Sequence, residues 1–413
     1  MRNLFLMSSW RRISLTISLI AIAMLGCSPA AWLFYSPTYV RQVVLADLNG
    51  DGTPDVYVVV TRDGEPYEHI PSYLLFNDGA GGFTDSGQRF EFVHSTAAAA
   101  GDLDADSHID LLANEYHLLM QYRNDGSGAL LPLDWISNTE VIAGRLYLAL
   151  ADLDANGALD VFAAACCGGQ TRDSQPIYPF DVVWLNDGKG QFRSNGQLLS
   201  KMGSNAVALG DLDGDGSPDA FVVTGQSMDS NLNHTYENPN TVWLNDGQGG
   251  FHDSGQELGE RESIAVALGD IDGDGSLDAV VGNNGPDEVW FNDGAGNFSL
   301  GSQSLGDGPA QSVHLADLDG DGDLDVFIAE ESGGAAWFND GGGQLSAASQ
   351  RIKYGRDAAV TVGDIEGDGL VDVLVVGLGY LQLWRNDGSG LFTADARSIY
   401  RVRNPSNSPS IQK

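Results

Sequence analysis

Asp211-Leu212-Asp213-Gly214-Asp215-Gly216-Ser217-Pro218-Asp219 is the fullest of seven copies of one pattern, whose first aspartates are Asp47, Asp102, Asp152, Asp211, Asp270, Asp317 and Asp364. Numbered from that aspartate, oxygen-bearing side chains fill positions 1, 3, 5 and 9. The sets are Asp47, Asn49, Asp51, Asp55; Asp102, Asp104, Asp106, Asp110; Asp152, Asp154, Asn156, Asp160; and Asp211, Asp213, Asp215, Asp219. Loops 5 to 7 supply Asp270, Asp272, Asp274, Asp278; Asp317, Asp319, Asp321, Asp325; and Asp364, Glu366, Asp368, Asp372. Carboxylates at alternate positions of a tight loop converge, and a glycine at position 6 permits the positive φ that returns the chain. Crowding of this kind is costly unless a cation fills the centre. An all-oxygen set, with a carbonyl expected at position 7, suits Ca²⁺ at roughly 2.3 to 2.6 Å better than a soft-ligand metal.

Up to seven Ca²⁺ are therefore expected, and the copies differ. Loops 4, 5 and 6 have the full acid set, loops 1 and 3 lose a charge at Asn49 and Asn156, and loop 7 has the longer Glu366 at position 3. Loop 2 places Ser107 where glycine is needed, so it is the member expected to be distorted or empty. An EF-hand would require an acid at position 12 and flanking helices. Position 12 is instead apolar in every copy (Val58, Ala113, Ala163, Val222, Val281, Ile328, Val375), inside β-branched runs such as Ala220-Phe221-Val222-Val223-Thr224. Each loop is read as a hairpin turn.

A second signature follows each loop: Asn77-Asp78-Gly79, then Asn-Asp-Gly from Asn124, Asn186, Asn245, Asn292, Asn339 and Asn386. Asp-Gly between apolar runs signals another hairpin. Two residues before the Asn stands Leu75, Tyr122, Trp184, Trp243, Trp290, Trp337 or Trp384. Six after it stands Phe83, Leu130, Phe192, Phe251, Phe298, Leu345 or Phe392. Such flanking apolar residues are read as packing between neighbouring sheets rather than as a sugar platform. The residue before each first aspartate is always Ala or Gly, which implies close backbone approach on an innermost strand. The fold class is all-β: a seven-bladed β-propeller of four-stranded antiparallel blades with Ca-binding loops. Phe392 to Arg397 reads as blade 7's own outer strand, so no swapped N-terminal strand is expected.

The two signatures together resemble the FG-GAP or VCBS repeat family, which includes the propeller of integrin α chains and many bacterial envelope proteins. The resemblance spans roughly residues 41 to 397 and implies Ca²⁺ in the turns between first and second strands. It implies no single activity.

Arg2, Arg11 and Arg12 precede an apolar run, Ile13 to Leu25, that ends at Gly26-Cys27. Residues 1–26 are read as a signal peptide, 27–40 as a linker, 41–397 as the propeller and 398–413 as a disordered tail. Met24-Leu25-Gly26-Cys27 resembles a bacterial lipobox, which implies acylation of Cys27 and a tether to an envelope membrane, with Ser28 favouring the outer one; plain secretion is the alternative. Loss of residues 1–26 takes the net charge from −36 to −39. Seven Ca²⁺ would return it to −25, a surface unsuited to nucleic acid or to anionic lipid, so the membrane contact expected is the lipid anchor alone. Adjacent Cys166 and Cys167 leave a strained vicinal disulfide and two thiols both open.

Loops between second and third strands vary most and are placed on the face opposite the acidic turns. They supply the ligand candidates Tyr67, His69, Tyr116, Arg172, Tyr178, His234 and Tyr236. Aromatic, amide and charged groups there suit a protein or glycan ligand at the envelope surface. A binding or adhesion module is the leading reading, with a carbohydrate-binding protein and a polysaccharide-acting enzyme as alternatives. No G-x-S-x-G or H-E-x-x-H motif is present, so no catalytic residue is assigned.

Overall fold

The apolar run after each acidic loop forms a strand with both faces buried, and this burial is what joins the blades. In the computed structural model, residues 38–62, 71–91, 95–115, 118–136, 145–166, 169–170, 176–177, 180–200, 203–228, 235–331 and 333–396 are described. They form seven four-stranded antiparallel sheets. Blade 4 is typical: inner strand Ser204–Gly210, second strand Asp219–Thr224, third strand Thr241–Asn245 and outer strand Phe251–Asp253. Blade 1 begins at Thr38, three residues before the expected start at 41. Blade 7 closes with its own outer strand, Phe392–Ala394, paired to Tyr380–Asn386. Residues 1–37 and 397–413, where the signal peptide, most of the linker with Cys27 and the tail are expected, lie outside the described residues.

Period-2 alternation divides each second strand between two neighbours. Val56, Val58 and Val60 pack with Leu374, Val376 and Leu383 of blade 7, while Tyr57 and Val59 pack with Leu111 and Ala113 of blade 2. Seven such clusters occupy the seven junctions. The repeated tryptophans serve them: Trp184 and Trp290 are buried, and Trp243, Trp337 and Trp384 are partly buried against the same clusters. T-shaped ring pairs cross four junctions, Phe90 with Tyr122, Phe162 with Phe251, Phe221 with Phe298 and Phe327 with Phe392. The small residue before the first aspartate is explained too. A Cβ on Gly210 would lie 2.6 Å from Leu277 Cδ1 of the next blade, and one on Gly101 would lie 2.5 Å from Leu159 Cδ1.

Polar links close the ring alongside the apolar ones. The Asn of each Asn-Asp-Gly turn donates from Nδ2 to the position-2 carbonyl of the preceding blade's acidic loop. The acceptors are Ile365, Leu48, Leu103, Leu153, Leu212, Ile271 and Leu318 for Asn77, Asn124, Asn186, Asn245, Asn292, Asn339 and Asn386, at 2.6 to 2.9 Å. The same Nδ2 donates to the position-8 carbonyl of its own loop at 2.9 to 3.1 Å. Farther out, a glutamine five residues beyond the Phe or Leu that follows the turn clasps the next blade in five of the blades. Gln256 accepts from Phe298 N at 2.9 Å and donates to Gly296 O at 2.7 Å, and Gln88, Gln197, Gln303 and Gln350 likewise accept from the N–H of Leu130, Phe251, Leu345 and Phe392.

Asn292→Ala strips hydrogen bonds from the carbonyls of Leu212 and Leu277 at once. It is expected to lower unfolding free energy by about 2 kcal/mol or more, against about 1 kcal/mol for Gln256→Ala, in urea titrations.

Candidate metal centres

Each acidic loop turns on two residues with positive φ, at positions 4 and 6, as at Gly214 (79°) and Gly216 (91°). The carboxylates first satisfy the backbone of this tight turn. At position 1, one oxygen accepts the position-6 N–H at 2.8 to 3.1 Å in all seven loops. At position 5, Oδ1 accepts the position-7 N–H at 2.7 to 3.0 Å. The position-9 carboxyl is buried: Oδ1 accepts the N–H of the Asn-Asp-Gly asparagine at 2.7 to 2.9 Å. In six loops its Oδ2 accepts the position-2 N–H at 2.8 to 3.2 Å.

What the backbone leaves over could hold a cation. Carboxylate oxygens of positions 1, 3 and 9 lie within 4.8 Å of one another in loops 2 to 6, the convergent groups found among the described residues. In loops 2, 3 and 6 the position-3 oxygens Asp104 Oδ1, Asp154 Oδ1 and Asp319 Oδ1 are buried with no hydrogen-bond partner. Burial pushes the position-9 carboxyls of Asp55, Asp110, Asp160, Asp219, Asp278, Asp325 and Asp372 up to about 6. Backbone N–H groups oppose that rise, and nearby loop acids add to it. Burial and the charge of Asp321 likewise raise Asp319. A divalent cation would relieve all of these charges together.

The ranking of loops differs from the sequence expectation. Loop 2 keeps its triad because Ser107 adopts the left-handed region at φ 70°, with Ala105 at 61°. Loop 3 does the same with Ala155 at 56°. Loops 1 and 7 are the ones that depart. Asp364, Glu366 and Asp372 form no convergent triad, Asp372 Oδ2 has no hydrogen-bond partner, and Glu366 pairs with Arg385. In loop 1 the Asn49 amide turns to Asp51, donating to its Oδ2 at 2.9 Å.

Of the residues expected on the opposite face, Tyr67, His69, Tyr116, Cys167, Arg172, Tyr178 and His234 fall outside the described residues. The insertions in blades 3 and 4 carry short hairpins, Gly169–Gln170 with Pro176–Ile177 and Gln226–Met228 with Thr235–Glu237; Tyr236 sits opposite Ser227 in the second. Cys166 ends the buried second strand of blade 3. Two features there were missed in the sequence. On the inner strands, Arg41 of blade 1 donates to the Tyr147 hydroxyl of blade 3 at 2.6 Å and lies 5.6 Å from its ring centroid. A cleft of about 480 Å³ lies between blades 5 and 6, lined by Ser304, Asp307, Glu330, Trp337 and Arg351. Beside it, Asp287 Oδ2 is buried and unpartnered, and burial and then the Glu330 charge push this carboxyl up to about 7. Neither feature sits in a repeated motif, so no sequence signal announced them.

A model of the FG-GAP-like repeat matches residues 47–113, 165–222, 231–281, 270–328 and 317–375. No curated protein matches the chain. Solved structures resemble it in fold. One is an Agrocybe aegerita lectin described as specifically recognising non-reducing terminal N-acetylglucosamine, 19% identical with a TM-score of 0.52 over 88% of this chain and 94% of that one. Another is BBS1N in complex with ARL6DN, 10% identical with a TM-score of 0.52 over 88% and 94%. A protein from Lactobacillus plantarum is 13% identical, with a TM-score of 0.53 over 80% and 92%.

Because Ser107 holds a left-handed conformation that glycine adopts without strain, Ser107→Gly should stabilise the protein by about 1 kcal/mol in urea unfolding.

Proposed function

The chain belongs to the FG-GAP-like repeat family, and on that premise we propose that it is a calcium-stabilised binding module held outside the cytoplasm at a bacterial envelope. The observation that carries the calcium reading is the buried, unpartnered oxygen at position 3 of loops 2, 3 and 6, each within a triad of converging carboxylates. An unpaired buried carboxylate oxygen among other acids is expensive, and a hard cation removes that cost. The ligand set is oxygen throughout, which favours Ca²⁺ over softer metals. In this reading the ions clamp the first hairpin of each blade, and their work is structural.

The ligand belongs on the face opposite the acidic turns. Arg41 and Tyr147 support this placement, since they put a cationic and aromatic pair on the inner strands of a chain whose net charge is −36. A protein or glycan ligand fits such groups. The lectin and the BBS1N complex show both ligand types on similar folds, and the lectin favours a carbohydrate as the second reading. Attachment through acylated Cys27 rests on the lipobox resemblance.

Chelation should lower the melting temperature. A site whose Kd is one tenth of the free calcium contributes about 1.4 kcal/mol, so five sites together produce a shift of many degrees. Asp319→Ala should shrink the calcium-dependent part by one site's share. An unchanged melting temperature in chelator would reduce the loops to ordinary turns.

For the ligand, envelope extract passed over the immobilised protein should yield a calcium-dependent partner that Arg41→Ala no longer retains. A glycan array separates the sugar reading, and Cys27→Ser should move the protein to the soluble fraction. Retention undiminished by Arg41→Ala would place the ligand elsewhere.

A further inference from the structure

Six of the seven blades press the residue before the Asn-Asp-Gly asparagine against the glycine four residues after that asparagine in the next blade's turn. Phe76, Leu185, Leu244, Phe291 and Phe338 meet Gly128, Gly249, Gly296, Gly343 and Gly390. In blade 7 the residue is Arg385, facing Gly81 of blade 1. Its Nη2 contacts Glu366 Oε1, lies 2.7 Å from Asp395 Oδ2, and donates to Ala80 O of blade 1 at 2.9 Å. Its Nε donates to the same Asp395 oxygen at 2.8 Å. Both acids are largely buried, their side chains 8% and 7% exposed, so this is no solvated surface pair. A Cβ at Gly81 would stand 2.9 Å from Arg385 Nη2 and 3.1 Å from Glu366 Oε1, so the glycine makes room for the pair.

We propose that Arg385 is the resident cation of loop 7, standing in for Ca²⁺ and making the junction of blades 7 and 1 independent of metal. The inference rests on the calcium reading of the other loops. Glu366 is the longer acid at position 3, and its extra methylene lets it reach out of the loop to the guanidinium. That withdrawal accounts for the missing triad, and the planar fork of arginine binds two carboxylates and a carbonyl together. Blade 2 shows that an arginine at this position is not sufficient. Arg123 lies 2.7 Å from Asp104 and 3.3 Å from Asp106, yet Asp102, Asp104 and Asp110 still converge. There the short aspartate keeps one oxygen in the loop, and Arg123 neutralises only its rim.

Native mass spectrometry of the whole protein in calcium tests this by counting ions per chain. Asp368→Ala should leave the count unchanged, whereas Asp319→Ala should lower it by one. The double variant Glu366→Asp with Arg385→Leu gives loop 7 the residues that loop 4 has at both positions, and it should bind one ion more than the natural chain. A count lowered by Asp368→Ala, or one that the folded double variant leaves unchanged, would overturn the proposal. If the double variant does not fold, Asp368→Ala decides alone. Absence of calcium from the natural chain and every variant would instead defeat the calcium reading, and this inference with it.

Discussion

One side-chain amide, repeated seven times, holds two carbonyls together across every junction of the ring. Asn245 reaches Pro218 O in its own loop and Leu153 O in the neighbour's, and its backbone N–H is fixed by Asp219. Asp219 also takes the N–H of Leu212, whose side chain is buried in the junction and whose carbonyl receives Asn292. Loop, turn and neighbour are thus one hydrogen-bonded unit. A buried amide left without these partners costs about 1 to 3 kcal/mol, so geometry at one loop constrains the next. The acids are consequently committed before any ligand arrives, and chiefly the position-3 oxygen is left over for a cation.

Blade number, strand order and the packing role of Leu75, Tyr122 and the five tryptophans were legible because they recur at a fixed period. Continuous apolar runs such as Val373 to Val376 were legible as strands, and their lack of alternation reflects burial on both faces. The asparagine was read only as part of a turn. Its defining acceptor lies 68 to 288 residues away, in the loop of another blade, and no local pattern encodes that distance. The glutamine clasp escaped for the same reason. Ser107 and Glu366 were ranked by chemistry alone. Backbone strain at Ser107 proves tolerable when both flanks are hydrogen-bonded, whereas the reach of Glu366 matters once Arg385 is near.

Division of labour between the two faces follows. On the acidic side every copy obeys the repeat, and departures such as Arg385 are compensated by partners within reach. On the other side blades 1, 3 and 4 insert chain of unequal length, and Arg41 and Asp287 occupy positions without counterparts in most blades. A scaffold that is fixed on one face leaves the other free to carry individual groups.

The ring of amides has a direction, each blade donating to the one before it, and this bears on how the chain is made. Asn77 emerges early in vectorial synthesis, yet its acceptor, Ile365, lies 288 residues downstream. Blade 1 must therefore wait with Val56, Val58 and Val60 uncovered until the last blade is complete. Each intermediate length of chain has two unsatisfied apolar ends, and only the full circle has none. A chain that stops one blade short leaves a sticky crescent in place of a slightly smaller ring.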